Sequence, residues 1–473
     1  MTFRTCSSSR PRPAGERYRS RLCFALLAVT PGAPAAQQPF PPDSAIRAIL
    51  RERVASERAV GLVLATYADG TAPRIFAEGS SGRPKVPLDG NAVFEIGSIT
   101  KVFTTGVLGG MVARGSVRLD DPVAKYLPSS VRMPSRGGKQ ITLAHLATHT
   151  SGLPSLPGNF QPSDSTNPYA DFTVEQMYQF LSGYTLPREI GAEYEYSNLG
   201  MGLLGHALAR RAEKSYEDLL IEQILAPLDM ADTRIGLTPA MRARAVSGHD
   251  QQGEPVPYWD IPTLAGAGAL RSTANDMLAF LKANLDSSGG PLHRALAATH
   301  ALRHQTETPG LAVGLGWHIA EFEGRPLVWH NGGTGGFRSF MAFDEARRRG
   351  VIVLANSSED VDDIGFHLLE PRSPLTPAPT PRQEITLAPE ALNPYLGVYQ
   401  LSPEFRITVT REDGALFVQA TGQGRFRLHP ESETDFFLRE VDARVSFERD
   451  SSGTVSRLVL HQGGQHTPGQ KVE

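Results

Sequence analysis

Three short runs of polar residues in this chain carry groups able to perform acyl-transfer chemistry. The first is Ser98-Ile99-Thr100-Lys101. A hydroxyl and an amine three residues apart share one face of a helix. A serine hydroxyl is a weak nucleophile at its free pKa, and an amine held neutral in a dry pocket can take its proton. The chain has seven lysines among its 47 basic residues, and no other lysine has a serine three positions before it. The second run is Tyr196-Ser197-Asn198. Its phenol, lowered in pKa by a nearby ammonium, would relay a proton to a leaving group, and its amide would bond both Lys101 and a substrate carbonyl. The same tripeptide also reads as a helix N-cap beside a packed tyrosine. The third run is Trp329-His330-Asn331-Gly332-Gly333-Thr334-Gly335-Gly336-Phe337. Glycine at this density marks either a hairpin turn or a sheet edge that lends a backbone N–H to an oxyanion.

The elements around these runs determine whether they can meet. Phe94–Gly97 reads as a strand end and turn, and Val102–Val112 as a buried helix, so Ser98 falls at a helix N-terminus, where a developing anion is favoured. A helix is expected within 41–56, then two strands, Val60–Tyr67 and Arg74–Glu78, joined by a turn through Ala-Asp-Gly-Thr. From the tetrad to about Leu285 the pattern is helix and loop, with one helix over Leu199–Ala212. Strands return at Gly314–Phe322, Leu327–Trp329, Phe337–Phe343 and Gly350–Ala355, followed by a helix over Val361–Leu369. Strands at both chain ends with helices between describe an α+β fold: an antiparallel sheet flanked by helices, with a helical subdomain. Pro371–Pro381 contains five prolines and reads as a linker. Beyond it, short alternating runs from Phe405 to Leu460, separated by turns such as Glu412-Asp-Gly, describe a small antiparallel β domain, curled or barrel-like.

Length and composition bound the function. A chain of 473 residues implies more than one domain. Six arginines precede the apolar run Leu22–Val29 and then Ala33-Pro-Ala35, the order of a secretory signal cleaved after Ala35. The expected domains are therefore a signal peptide over 1–35, a catalytic domain over 36–370, a linker over 371–384 and a β domain over 385–473. Removing residues 1–35 moves the net charge from −3 to about −8 and takes away Cys6 and Cys23, the two cysteines present. A mildly acidic chain without a basic stripe is a poor nucleic-acid binder. No run of eighteen apolar residues exists to span a membrane. The expectation is a secreted, periplasmic protein with no cofactor and no metal; the oligomeric state is left open.

Order and spacing of the three runs carry a resemblance. The chain resembles the serine β-lactamase and penicillin-binding superfamily, in its class C-type branch of β-lactamases, D-alanyl-D-alanine carboxypeptidases, D-aminopeptidases and esterases. That signature is Ser-x-x-Lys, Tyr-x-Asn and Lys-Thr-Gly on a sheet edge. The flanks Asp120–Leu127, Leu146–Pro154, Pro227–Thr233 and Gly266–Thr273 agree with it. The resemblance covers about residues 40 to 370, and the tail from 385 is similar to the lipocalin-like β domain of some of these hydrolases. It implies a β-lactamase/transpeptidase-like fold, with Ser98 as acylated nucleophile, Lys101 as proton acceptor, Tyr196 as catalytic phenol and Asn198 as amide contact. The N–H groups of Ser98 and Gly333 would form the oxyanion hole, and His330, Asn331, Gly332 and Gly333 would line the substrate. The chain departs from the pattern at His330-Asn331-Gly332, where the family has Lys-Thr-Gly. Histidine is largely neutral at pH 7, so binding of carboxylate-bearing β-lactams should weaken.

The expected activity is acyl hydrolysis of β-lactam or D-amino-acid peptide amide bonds, with a small molecule or peptidoglycan peptide as substrate. A carboxylesterase of the same fold and a penicillin-binding sensor without turnover are the alternatives. An α/β-hydrolase is excluded, because no Gly-x-Ser-x-Gly elbow occurs. His300 and His304 lack the glutamate of a His-Glu-x-x-His zinc motif and read as a solvated helix face. His149 reads as structural, bracing a turn near the site.

Overall fold

The computed structural model describes residues 39–378, 384–402, 405–421, 424–438, 443–462 and 465–472. The expected signal segment with its cleavage point, both cysteines and residues 379–383 of the proline-rich stretch lie outside the described residues. No helix among the described residues is long and apolar enough to cross a membrane.

Helix α1 (Asp43–Ala55) leads into strands β1 (Gly61–Ala68) and β2 (Arg74–Gly79). Six more strands come from the far end of the catalytic region: β3 (His304–Gln305), β4 (Leu311–Val313), β5 (His318–Phe322), β6 (Arg325–Gly333), β7 (Arg338–Asp344) and β8 (Arg349–Ala355). They form one antiparallel sheet in the order β2-β1-β8-β7-β6-β5-β4-β3. Strand β1 pairs with β8 from Leu62↔Ala355 to Ala68↔Arg349, so the two ends of this region close the sheet together.

The central strands read as continuous apolar runs because both faces are covered. Val63, Ala65, Met341, Phe343, Ile352 and Leu354 face a core shared with Val102, Phe103, Phe280 and Leu281. The alternate residues Leu62, Leu64, Phe340, Ala342, Val351 and Val353 pack on Ile46, Leu50, Ile364 and Leu368. The first set of partners lies on helices α2 (Thr100–Ala113) and α4 (Ala274–Leu285); the second lies on α1 and α5 (Asp362–Leu369). Helix α3 (Asn198–Ala212) belongs to the helical region, as expected. Each fully buried leucine or isoleucine here contributes about 1.5–3 kcal/mol. Helix α2 is apolar on nearly all sides and runs through the middle of the larger core, which fits a helix with no solvated face.

Two strand expectations need correction. Gly314–Phe322 is not one strand: β4 ends at Val313, the chain turns through Gly314–Trp317, and β5 returns with His318 opposite Val313. Gly316, at φ +74°, makes that reversal. Conversely, β6 runs four residues past Trp329, so His330–Gly333 are strand and the turn begins at Thr334. The solvated-helix reading of His300 and His304 is also overturned. His300 is buried, with its ring nitrogens 2.6 Å from Glu345 Oε1 and 2.8 Å from Asn284 Oδ1 and its ring edge-on to Trp317, while His304 opens β3.

The C-terminal β domain is a closed eight-stranded antiparallel barrel over Gly397–Lys471. Its first strand, Gly397–Ser402, pairs with its last, Gln465–Lys471, through Tyr399↔Lys471 and Gln400↔Gln470. The sequence reading omitted both. Pro468 and Gly469 disguise the last strand, since neither residue favours a sheet interior.

Candidate active site

Ser98 sits in a tight turn, Gly97–Ile99, that runs directly into α2. Two contacts press this turn against the sheet. Gly97 adopts φ +46°, and a side chain there would bring Cβ within 2.7 Å of Gly333 N. A Cβ on Gly332 would collide with Ile96 O, the same carbonyl that accepts a hydrogen bond from Ser339 Oγ at 2.8 Å. Glycine at both positions therefore brings the Ser98 turn into backbone contact with the end of β6. Thr100 Oγ1 fixes the turn from inside, donating to Gly97 O at 2.7 Å and accepting from Leu270 N at 3.1 Å.

Lys101 is completely buried. Its Nζ lies 2.9 Å from Ser98 Oγ, 2.8 Å from Asn198 Oδ1 and 2.7 Å from Ala267 O. Burial holds its pKa well below the usual lysine value. The three partners suit an amine that can give up a proton: two N–H bonds can stay on oxygens that carry no hydrogen, which leaves the lone pair for the one partner able to donate, the serine hydroxyl.

Tyr196 places its ring 4.7 Å from the Lys101 nitrogen. Its pKa is raised, not lowered as the sequence suggested. Burial is the main cause, and a hydrogen bond with Ser98 offsets only part of it. The same burial lowers the Lys101 pKa and so disfavours the ammonium that was expected to act on the phenol. Ser197 caps α3, its Oγ accepting from Gly200 N at 2.8 Å and donating to Pro154 O at 2.6 Å. The cap and the site tyrosine thus coexist in one tripeptide. His149, at φ +57°, accepts from Ser197 N at 3.0 Å through Nδ1 and lays its ring 4.7 Å from that of Tyr196. This is the bracing contact the sequence suggested.

The β6 residues divide by face. His330 is fully buried on the Ser98 side, its ring 6.3 Å from Tyr196. Its Nδ1 is 2.6 Å from Asn331 O, and burial lowers its pKa well below the ordinary histidine value. It therefore carries no charge near neutral pH. Asn331 points the other way, and its Nδ2 donates to Asp362 Oδ2 at 2.6 Å. That amide is engaged with α5 rather than free for a substrate. Beside Gly333 on this opposite face lies Arg338, whose Nη1 donates to Thr334 O and Phe337 O at 2.9 and 3.0 Å. A Cβ on Gly333 would come within 2.9 Å of that nitrogen.

Sequence reasoning missed two further groups. His318 on β5 stacks 5.0 Å from His330, and its Nε2 lies 3.0 Å from Tyr194 Oη. Burial, then Lys101, lowers its pKa to about 4. Glu95 and Arg271 form a buried pair at 3.2 Å just ahead of the nucleophile's turn, with Glu95 Oε1 also accepting from Trp259 N at 2.9 Å. Burial raises Glu95 to about 7. A charged residue inside Phe94-Glu-Ile-Gly97 was the available clue; for His318 there was none. Among the described residues, no group of three His, Cys, Asp or Glu side chains is arranged to hold a metal ion.

A sheet sandwiched between helices, with a serine–lysine pair at the base of a helix and a glycine-rich strand end beside it, defines a serine acyl hydrolase of the β-lactamase/transpeptidase fold. The Beta-lactamase family model matches residues 46–368, and the chain belongs to that family. A second model, a domain of unknown function, matches residues 381–471. The chain is 33% identical over 295 residues to the D-alanyl-D-alanine-carboxypeptidase/endopeptidase AmpH of Escherichia coli (strain K12), covering 59% of this chain and 74% of that protein. It is 28% identical over 353 residues to a beta-lactamase of Pseudomonas fluorescens, covering 67% and 92%. Among solved structures, the beta-lactamase/D-alanine carboxypeptidase of Yersinia pestis, complexed with citrate, superposes with a TM-score of 0.58 at 27% identity, covering 67% of this chain and 93% of that one.

Proposed function

We propose that this protein hydrolyses amide bonds of D-amino-acid peptides or β-lactams through an acyl-enzyme on Ser98. The observation that carries the reading is the Lys101 amine, buried, held well below the usual lysine pKa and 2.9 Å from Ser98 Oγ. In acylation, the Ser98 proton passes to Lys101 Nζ and the alkoxide adds to the carbonyl carbon. The resulting oxyanion accepts hydrogen bonds from the N–H groups of Ser98 and Gly333, each worth about 3 kcal/mol in the transition state. Tyr196, protonated at neutral pH, gives its proton to the departing nitrogen and recovers one from the Lys101 ammonium. Asn198 holds the amine through Oδ1. Water then attacks the ester by the same steps in reverse order, regenerating Ser98.

D-amino-acid peptides are the preferred class, and the AmpH likeness supports this choice. A carboxylesterase reading draws on one observation: His330, uncharged and buried, offers no fixed cation to a substrate carboxylate. In this reading residues 1–35 direct export to the periplasm, 36–370 form the catalytic domain, 371–384 the linker and 385–473 the β domain. The two family matches, which meet between 368 and 381, support that division. The test is a panel of a D-Ala-D-Ala peptide, nitrocefin and a short-chain nitrophenyl ester, with intact-mass detection of the adduct. Amide turnover with the label on Ser98 is expected. Ester turnover alone would replace the peptidase reading, and an adduct on any other residue would remove the mechanism.

A further inference from the structure

The C-terminal barrel has two unlike ends. At one, the segment Pro389–Tyr395 lies against the strands: Arg411 Nη1 donates to Pro389 O at 2.8 Å, and Tyr395 Oη donates to Glu433 O at 2.6 Å. Behind it Tyr395, Tyr399, Phe436 and Phe447 fill the interior, with ring centroids 4.5–5.7 Å apart. That half is a solid aromatic core.

The other end, where strands finish at Ser402, Ala420 and Gln462, is not filled by the described residues. A cavity of about 130 Å³ remains, lined by Phe405, Val418, Phe426, Leu438, Leu460 and Gln462 among others. Phe405 and Ile407, and Val418 and Ala420, are two apart on their strands and so share the inward face. Among the described residues Gln462 is the one polar side chain of the lining.

We propose that this cavity binds the end of a single unbranched alkyl chain. Apart from Gln462, its lining side chains give a polar ligand no hydrogen bonds to replace those lost from water. An apolar cavity of about 150 Å³ stays dry and admits a benzene-sized guest, so this one takes about four to six carbons. A chain fits better than a larger ring, because it can insert its tip and leave its polar remainder outside, beside Gln462. A lipid acyl chain and a free amphiphile share this chemistry.

The experiment is calorimetric titration of the full-length protein with the 1-alkanols from butanol to octanol. Saturable binding at one site is expected, with affinity rising roughly fourfold per methylene up to about hexanol and then levelling. Val418→Phe and, as a milder filling, Ala420→Leu should abolish it while ester hydrolysis at Ser98 stays unchanged and the thermal transition persists. Flotation with phosphatidylcholine vesicles, lost in the same variants, would assign the chain to a bilayer lipid; alkanol binding without flotation would assign it to a free amphiphile. Absence of saturable binding, affinity independent of chain length, or full binding in a folded filled variant would each overturn the proposal.

Discussion

Ser98 and Lys101 would be unremarkable on a solvated helix, where the amine would stay protonated and the hydroxyl inert. Complete burial weakens the lysine's preference for the charged form, because desolvation penalises that form and no carboxylate contacts Nζ to restore it. Lys101→Arg should therefore fail as completely as Lys101→Ala, since a guanidinium cannot give up its proton. Both variants should lose about 10²–10⁴-fold or more in acylation rate, read as the rate of adduct formation by intact mass. In the wild type, acylation should rise with pH as Lys101 loses its proton, with the midpoint below the ordinary lysine range.

At the scale of elements, the site is the meeting of one turn, one helix start and one strand end. Gly97 and Gly332 permit that meeting through backbone proximity. Gly332→Ala should lower the midpoint of thermal unfolding and the acylation rate together, at about 1–3 kcal/mol of stability. His149 plays the corresponding part for the helical region, holding Ser197 N while packing on Tyr196. His149→Phe keeps the ring but leaves Ser197 N without its acceptor, at about 1–3 kcal/mol. Its kcat should fall with little change in KM, measured on the neutral ester. The apolar runs of β1, β7 and β8 were legible as strands because β-branched and aromatic residues cluster there. The split of Gly314–Phe322 was not, because an apolar glycine-containing turn and a strand look alike until a partner strand is assigned.

For the whole molecule, buried acids and buried bases pull the pH dependence of stability in opposite directions. Glu95 is raised to about 7 and Asp362 to about 8, both chiefly by burial. Between their ordinary values and these raised ones, the folded protein holds protons that the unfolded chain has released. Stability from these groups is thus present at acid pH and lost as pH rises toward 8. His318, lowered to about 4, and His330, also lowered by burial, contribute with the opposite sign, so the carboxyl part is read by difference. The unfolding midpoint of Asp362→Asn should gain on that of the wild type as pH rises from 5 to 8; a constant or shrinking difference would contradict the assignment.

The sequence by itself determined the reactive groups and their order: a serine, a lysine one helical turn on, a tyrosine and amide, then a glycine-rich strand. Local spacing is enough for that, because it fixes which side chains share a helix face or a strand edge. It also settled the sheet-and-helix architecture, since apolar periodicity reports how many faces of an element are covered. Only the tertiary structure decided the charges. Lys101 is easier to deprotonate, Tyr196 is harder to ionise and His330 is uncharged because burial depends on atoms brought in from distant parts of the chain, among them Ala267 O and the β6 strand. The same holds for Asn331, whose side chain direction follows from the register of β6 in the sheet, and for the barrel, closed by two strands whose pairing no local pattern announces.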